Sequence, residues 1–137
     1  MHITKSYLKE LVYKVNGAAI EVHKALGPGL LESVYHKCLK YELYERGINY
    51  RSELVVPVNY KGIDIEAELR CDLFIENILP VELKATDGIN PIHEAQLLTY
   101  MKLLNVPKGL LINFNVTNLY HDGQRTYVNE LYRNLDE

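Results

Sequence analysis

The stretch from Cys71 to Ala85, CDLFIENILPVELKA, holds three side chains of types that do chemistry together: Asp72, Glu82 and Lys84. Two β-like runs flank Glu76-Asn77, and a turn centred on Asn77 sets Asp72 opposite Glu82 and Arg70 opposite Lys84. Like charge faces like charge twice. Directly opposed side chains on one face of a strand pair have Cβ atoms roughly 5 Å apart, and like charges there are destabilising by up to about 1 kcal/mol. Two readings account for the pattern. In one, the face is solvated, and the diagonal neighbours, Asp72 with Lys84 and Arg70 with Glu82, form ion pairs that contribute little. In the other, a divalent cation lies between the two carboxylates and removes their repulsion, with the lysine two residues on and on the same side of the strand. The residues alone leave both open.

The elements that must position these side chains follow from periodicity. Between residues 53 and 85 apolar residues recur at every second position. A tight turn at Lys61-Gly62 pairs Val58 with Ile65, Val56 with Ala67 and Leu54 with Leu69, so that apolar meets apolar. In the middle strand Ile63, Ile65, Ala67, Leu69, Cys71, Leu73 and Ile75 form an inward face, while Asp64, Glu66, Glu68, Arg70 and Asp72 point to an accessible one. The third strand keeps this parity, with Leu79, Val81, Leu83 and Ala85 inward and Glu82 and Lys84 on the other side. A one-residue slip would turn the whole apolar set outward.

Ahead of the strands, Leu8, Leu11, Val12, Val15, Ala18, Ala19 and Val22 fall at three- and four-residue steps, which predicts a first helix stopped by LGPG at residues 26–29. A second helix is expected from about Leu30 to Arg46, burying Leu31, Val34, Cys38 and Leu39, with Gly47 as its cap. After Gly88, Asn90 as cap and Pro91 as first residue predict a third helix to about Asn105. GLLINFN, residues 109–115, reads as a buried strand, and RTYVNEL, residues 125–131, as a last strand or a helical turn. The order ααβββαβ(β) defines an α/β class with a central mixed sheet flanked by helices.

A chain of 137 residues with 47% hydrophobic content is long enough for one domain with a real core, expected to span residues 1–137. The net charge of −3 and pI near 6.0 exclude the basic footprint of a protein that holds nucleic acid by bulk electrostatics. A phosphate-bearing substrate therefore has to be received by a local basic patch or through a bound cation. Cys38 and Cys71 have no ligand spacing and are too few for a disulfide framework, so both are expected reduced and buried, with no thiol nucleophile among them. MHITKSYLKELVYKV, at the start, alternates charged and apolar residues, unlike a signal peptide or a membrane span. A cytoplasmic protein without a membrane partner is expected.

Asp72, followed on the next strand by Glu82-Leu83-Lys84, resembles the core motif of the PD-(D/E)xK nuclease superfamily, with Cys71 where the name-giving proline would stand. GLLESVY, through Gly29, Glu32 and Tyr35, resembles the pattern of the GxxExxY protein family. QLLTY, Gln96 to Tyr100, is similar to the QxxxY element that follows the lysine strand in the RecB-like branch. The resemblance implies a restriction-endonuclease-like fold and Mg²⁺- or Mn²⁺-dependent hydrolysis of phosphodiester bonds in nucleic acid, DNA before RNA. It implies Asp72 and Glu82 as direct metal ligands, the Leu83 carbonyl as another, and Glu32 as a third carboxylate acting directly or through water. Lys84 would orient or help deprotonate the attacking water, Gln96 and Tyr100 would position the lysine or the scissile phosphate, and His23 would stand in the metal's outer shell.

Each added residue also has a plainer reading. Glu32, in the first turn of a helix, favourably meets the helix dipole whatever the function. Gln96 and Tyr100, four apart on one helix face, form the polar flank of a stripe of Ala95, Leu98 and Met101. His23 reads as a satisfied, half-buried imidazole and His93 as part of a helix start. The eleven tyrosines suit amphipathic core edges as well as stacking on bases. Two other functions stay in view: a nuclease scaffold that binds nucleic acid without turnover, and an interaction module whose acidic strand face meets a basic protein partner or a second copy of the chain.

Overall fold

The structure, a computed structural model, describes residues 2–66 and 69–137. Helix α1 (Lys5–Leu26) opens at Thr4, whose hydroxyl accepts from the Tyr7 N–H, and buries the whole expected stripe from Leu8 to Val22. It stops at Gly27, whose φ of 69° lies in the left-handed region where a glycine meets no Cβ penalty. Helix α2 (Glu32–Glu45) packs beside it through Tyr35, Leu39 and Leu43, so that Leu39 is buried as expected while Leu31, Val34 and Cys38 are not. Leu31 is 74% and Val34 37% exposed, and Cys38 is half-buried. The aromatic decides this: Tyr35 is fully buried, stacks on Phe114 with ring centroids 4.4 Å apart, and occupies the inward position that counting aliphatic residues assigns to its neighbours.

The remaining elements are β1 (Tyr50–Val55), β2 (Val58–Tyr60), β3 (Ile63–Ile65), β4 (Arg70–Ile75), β5 (Leu79–Lys84), α3 (Pro91–Leu104), β6 (Lys108–Asn113), α4 (Leu119–Asp122), β7 (Gln124–Val128) and α5 (Glu130–Arg133). Five strands form one sheet in the order β1-β4-β5-β6-β7, with β5 and β6 parallel and the other neighbours antiparallel, and β2 and β3 form a separate ribbon. The expected first and middle strands are thus each in two pieces. Val58 pairs with Ile65 as anticipated, the Val56–Ala67 pair and the parity of Ala67 and Glu68 lie outside the described residues, and Leu54 pairs with Cys71 instead of Leu69. A two-residue offset preserves which side each residue faces. The ribbon itself leaves the sheet, so Ile63 and Ile65 are 61% and 44% exposed where an inward position was expected.

The β4–β5 hairpin matches its expected register. Glu76 and Asn77 have φ of 51° and 56°, left-handed residues in a three-residue connection, 76–78, closed by the Ile78 N–H donating to the Ile75 carbonyl, and the register sets Leu73 opposite Val81 and Ile75 opposite Leu79. Helices α1 and α2 cover one face of the sheet, over Leu73, Ile75, Val81, Leu83, Leu110 and Ile112. The other face, expected to be accessible, is covered too: Leu97 and Met101 of α3 meet Phe74 and Leu111. Close approach of α3 relies on Gly109, where an added Cβ would lie 2.9 Å from Met101 Sδ.

Helix α3 starts where Asn90 and Pro91 predict, but it buries Leu97, Tyr100 and Met101, leaving Ala95 and Leu98 exposed. Both readings of residues 125–131 are realised in succession, as β7 runs to Val128 and α5 follows.

Candidate active site

The β4–β5 ladder stops at Leu73–Val81. One residue further, Asp72 turns its carboxylate onto the neighbouring strand, and Oδ2 accepts the Leu83 N–H at 2.8 Å. Glu82 forms a side-chain hydrogen bond with Asp72, so the two acids meet where the hairpin register sets them. Glu82 is only 3% exposed, and its Oε1 is buried without a hydrogen-bond partner among the described residues. Burial above all, then the hydrogen bond with Asp72 and its charge, push the Glu82 carboxyl up to about 10 against an opposing pull from Lys84. Burial beside Asp72 thus favours the protonated form of Glu82 in the metal-free site.

The reading of a solvated face with diagonal ion pairs does not describe this arrangement. Glu82 is covered while Asp72 and Lys84 are half-buried and Arg70 is exposed, and among the described residues Lys84 and Arg70 form no ion pair with Asp72 or Glu82. Nor does Arg70 oppose Lys84 in the ladder, because the ladder has already ended; its strand partner is Val55 of β1.

Glu32, exposed in the first turn of α2, lies near enough to this pair to feel its charge. Burial and then the charge of Asp72 raise its carboxyl pKa, with Lys84 opposing, so Glu32 feels both the acid and the lysine. The connection before α2 sets its position. Gly29 has a φ of 97°, and the Tyr35 hydroxyl donates to the Gly27 carbonyl while accepting the Leu30 N–H at 3.1 Å. Gly29, Glu32 and Tyr35 thus act together: one turns the chain, one carries the acid and one ties the turn to the helix.

From the other side of the sheet α3 contributes Tyr100, 2% exposed, its hydroxyl pushed up to about 12 by burial and by the charge of Glu82. Gln96, one turn earlier, is half-buried and lines an open groove of about 440 Å³ with Leu69, His93 and Tyr100. His93 serves the start of α3, as Nδ1 accepts from the Asn90 N–H at 3.3 Å. His23 answers to the satisfied-imidazole reading: Nε2 lies 2.8 Å from the Val116 carbonyl, and none of the acids is among its hydrogen-bond partners. Cys71 is buried with its thiol pushed up to about 12, mainly by desolvation, which removes it as a nucleophile.

One residue at the site has no motif to announce it. His36, four residues after Glu32 on α2, has Nε2 3.1 Å from Ser52 Oγ, and burial lowers its pKa against the opposing charge of Asp72. Only its i, i+4 relation to Glu32 could have pointed to it.

The family model of the PD-(D/E)XK nuclease superfamily matches residues 9–126, and the chain belongs to that superfamily. Neither a curated protein nor a solved structure matches it. The five-stranded mixed sheet flanked by helices is consistent with a restriction-endonuclease-like fold. No helix among the described residues is long and apolar enough to cross a membrane.

Nucleases of this superfamily generally use divalent metals. Among the described residues no three His, Cys, Asp or Glu side chains are grouped closely enough to hold an ion by themselves. Two adjoining carboxyl groups do fit a hard cation, one of them with a buried oxygen lacking any partner. The N–H and C=O of a strand residue face the same neighbour, so the Leu83 carbonyl points to the edge where its N–H meets Asp72. Two carboxylates and a carbonyl leave the remaining positions to water, as Mg²⁺ prefers.

Proposed function

We propose that this chain is a divalent-metal-dependent nuclease that hydrolyses phosphodiester bonds of nucleic acid, DNA foremost, and that it is a GxxExxY protein carrying the RecB-like QxxxY element. The observation that carries the reading is the Asp72–Glu82 pair. A buried carboxyl with an oxygen that bonds to nothing is destabilising on its own account, and selection for stability alone would replace it.

Asp72, Glu82 and the Leu83 carbonyl would hold Mg²⁺ or Mn²⁺, with Glu32 reaching it directly or through water. A cation there supplies neutralisation of the phosphoryl oxygens, activation of the attacking water and support for the leaving oxygen. Glu82 must release its proton to act as a ligand, so loading is linked to proton release. Lys84, paired with neither acid, directs its ammonium donors to the attacking water or to a phosphoryl oxygen. Tyr100 keeps its phenolic proton and acts as a donor, with Gln96 one turn away, to orient Lys84 or the scissile phosphate.

Purified protein is expected to cleave DNA or RNA only when Mg²⁺ or Mn²⁺ is added. Lys84→Ala should lower cleavage by about 100-fold or more while leaving the melting temperature in place. Undiminished cleavage by that variant would sink the assignment. The net charge of −3 favours a second reading, a scaffold that binds nucleic acid or a protein without turnover. That reading expects metal-free binding and no cleavage across a broad substrate panel.

A further inference from the structure

Strands β5 and β6 run parallel and stop side by side, with Lys84 opposite Asn113. One backbone bond follows, from the Phe114 N–H to the Lys84 carbonyl at 2.9 Å. On the other edge of β5 the ladder with β4 has already ended at Leu73–Val81, and the Asp72 side chain holds only the Leu83 N–H there. Past Lys84 the chain has left both ladders. Backbone groups released from a ladder need other partners.

The side chain of Asn113 supplies them. Its Oδ1 accepts the Thr86 N–H at 3.1 Å and its Nδ2 donates to the Thr86 carbonyl at 3.0 Å, so a side-chain amide carries the pairing two residues beyond Lys84. Oδ1 also accepts the Asn115 N–H at 3.2 Å, which turns the chain as it leaves β6. Two N–H groups at one end and a carbonyl at the other admit a single orientation of the amide. Asn115 reaches back in turn, with Nδ2 donating to Asp87 Oδ1 at 3.1 Å. Asn113 is 3% exposed, which leaves little room for water to take these bonds over. Thr86 opens the connection to Asn90, the cap of α3, and α3 carries Gln96 and Tyr100. One buried amide therefore stands between the strand of the lysine and the approach to that helix.

We propose that Asn113 is a positioning residue of this site: by pairing with Thr86 it fixes the end of the strand that carries Lys84 and the start of the connection that leads to Gln96 and Tyr100. Its consequence for turnover rests on the nuclease reading above, whereas its hold on the Lys84 end of β5 does not.

Residue-resolved amide hydrogen exchange, Mn²⁺ binding by calorimetry and steady-state cleavage, measured on wild type, Asn113→Ala and Asn113→Asp, test this. Asn113→Ala should speed exchange at the Thr86 and Asn115 amides by about 5-fold or more, the loss of one hydrogen bond at each, with the β4–β5 ladder unchanged. It should lower kcat by about 10–100-fold, the scale for a reacting group displaced by roughly 1 Å. KM and Mn²⁺ affinity should stay close to wild type, because Asp72 holds Leu83 without Asn113. Asn113→Asp, which keeps both acceptor bonds, should restore protection at the two amides and part of kcat. Wild-type kcat in Asn113→Ala, or Thr86 exchange no faster than in wild type, overturns the proposal. So does a fall in kcat that comes with faster exchange throughout the sheet and equally weakened Mn²⁺ binding, because Asn113 then only supports the fold. If wild type cleaves nothing, the nuclease reading fails, and exchange still decides: acceleration confined to residues 84–90 and 113–115 upholds the role of Asn113, and its absence refutes it.

Discussion

Glu82 is the residue whose behaviour departs furthest from that of its type. Its carboxyl rises from 4.5 to about 10 on folding, so folding favours its protonated form. The sign follows: the contribution is whole below about 4.5 and is lost as pH rises through the interval to about 10, where the unfolded chain ionises and the folded one resists. The metal-free protein should therefore melt at steadily lower temperature across that interval, and Glu82→Gln should flatten the slope. A melting profile that Glu82→Gln leaves unchanged would place the titration elsewhere. Asp72, Glu82 and Lys84 were legible from type and spacing, since alternate residues of a strand share a side. The burial of Glu82 was not legible, because the helix that covers it lies beyond the lysine strand and its own inward face was misread.

Among the elements, the turn between α1 and α2 has the clearest energetic signature. Tyr35 uses its ring for the core and its hydroxyl for the turn, so Tyr35→Phe separates the two. Keeping the stack on Phe114 while losing the hydroxyl contacts should lower stability by about 1 kcal/mol, read as a lower urea midpoint at unchanged slope. Cation affinity should fall as well, since Glu32 starts the helix that this turn anchors. A variant with the wild-type urea midpoint would mean that water replaces the hydroxyl without loss. The stripe of α1 and the register of the β4–β5 hairpin were legible because each depends on contacts close in sequence. The inward face of α2 and the departure of the β2–β3 ribbon depend on partners such as Phe114, far along the chain.

For the molecule as a whole, the deciding quantity is whether the folded chain binds a divalent cation at all. A ligand that binds only the folded state stabilises it by about 2.7 kcal/mol at a concentration 100 times its Kd. Mg²⁺ or Mn²⁺ should therefore raise the melting temperature of the wild type. Asp72→Asn, which retains an oxygen to accept the Leu83 N–H, should remove that rise without lowering the metal-free value. A wild type indifferent to both cations would favour the interaction module over the nuclease. The acidic net charge bears on the same question, because it leaves substrate recognition to local groups and to the cation.

Read by itself, the amino-acid order determined the α/β class, the hairpin register and the three charged residues at its open end. Period-two alternation and a pair of left-handed turn residues act over a few positions and admit one phase. Tertiary structure alone decided that Glu82 would be buried with an orphaned oxygen, that Tyr100 would be core and not flank, and that His36 would join α2 to Ser52 of β1. Those outcomes turn on which of several apolar faces meet across the sheet, a competition among distant residues that no local spacing records.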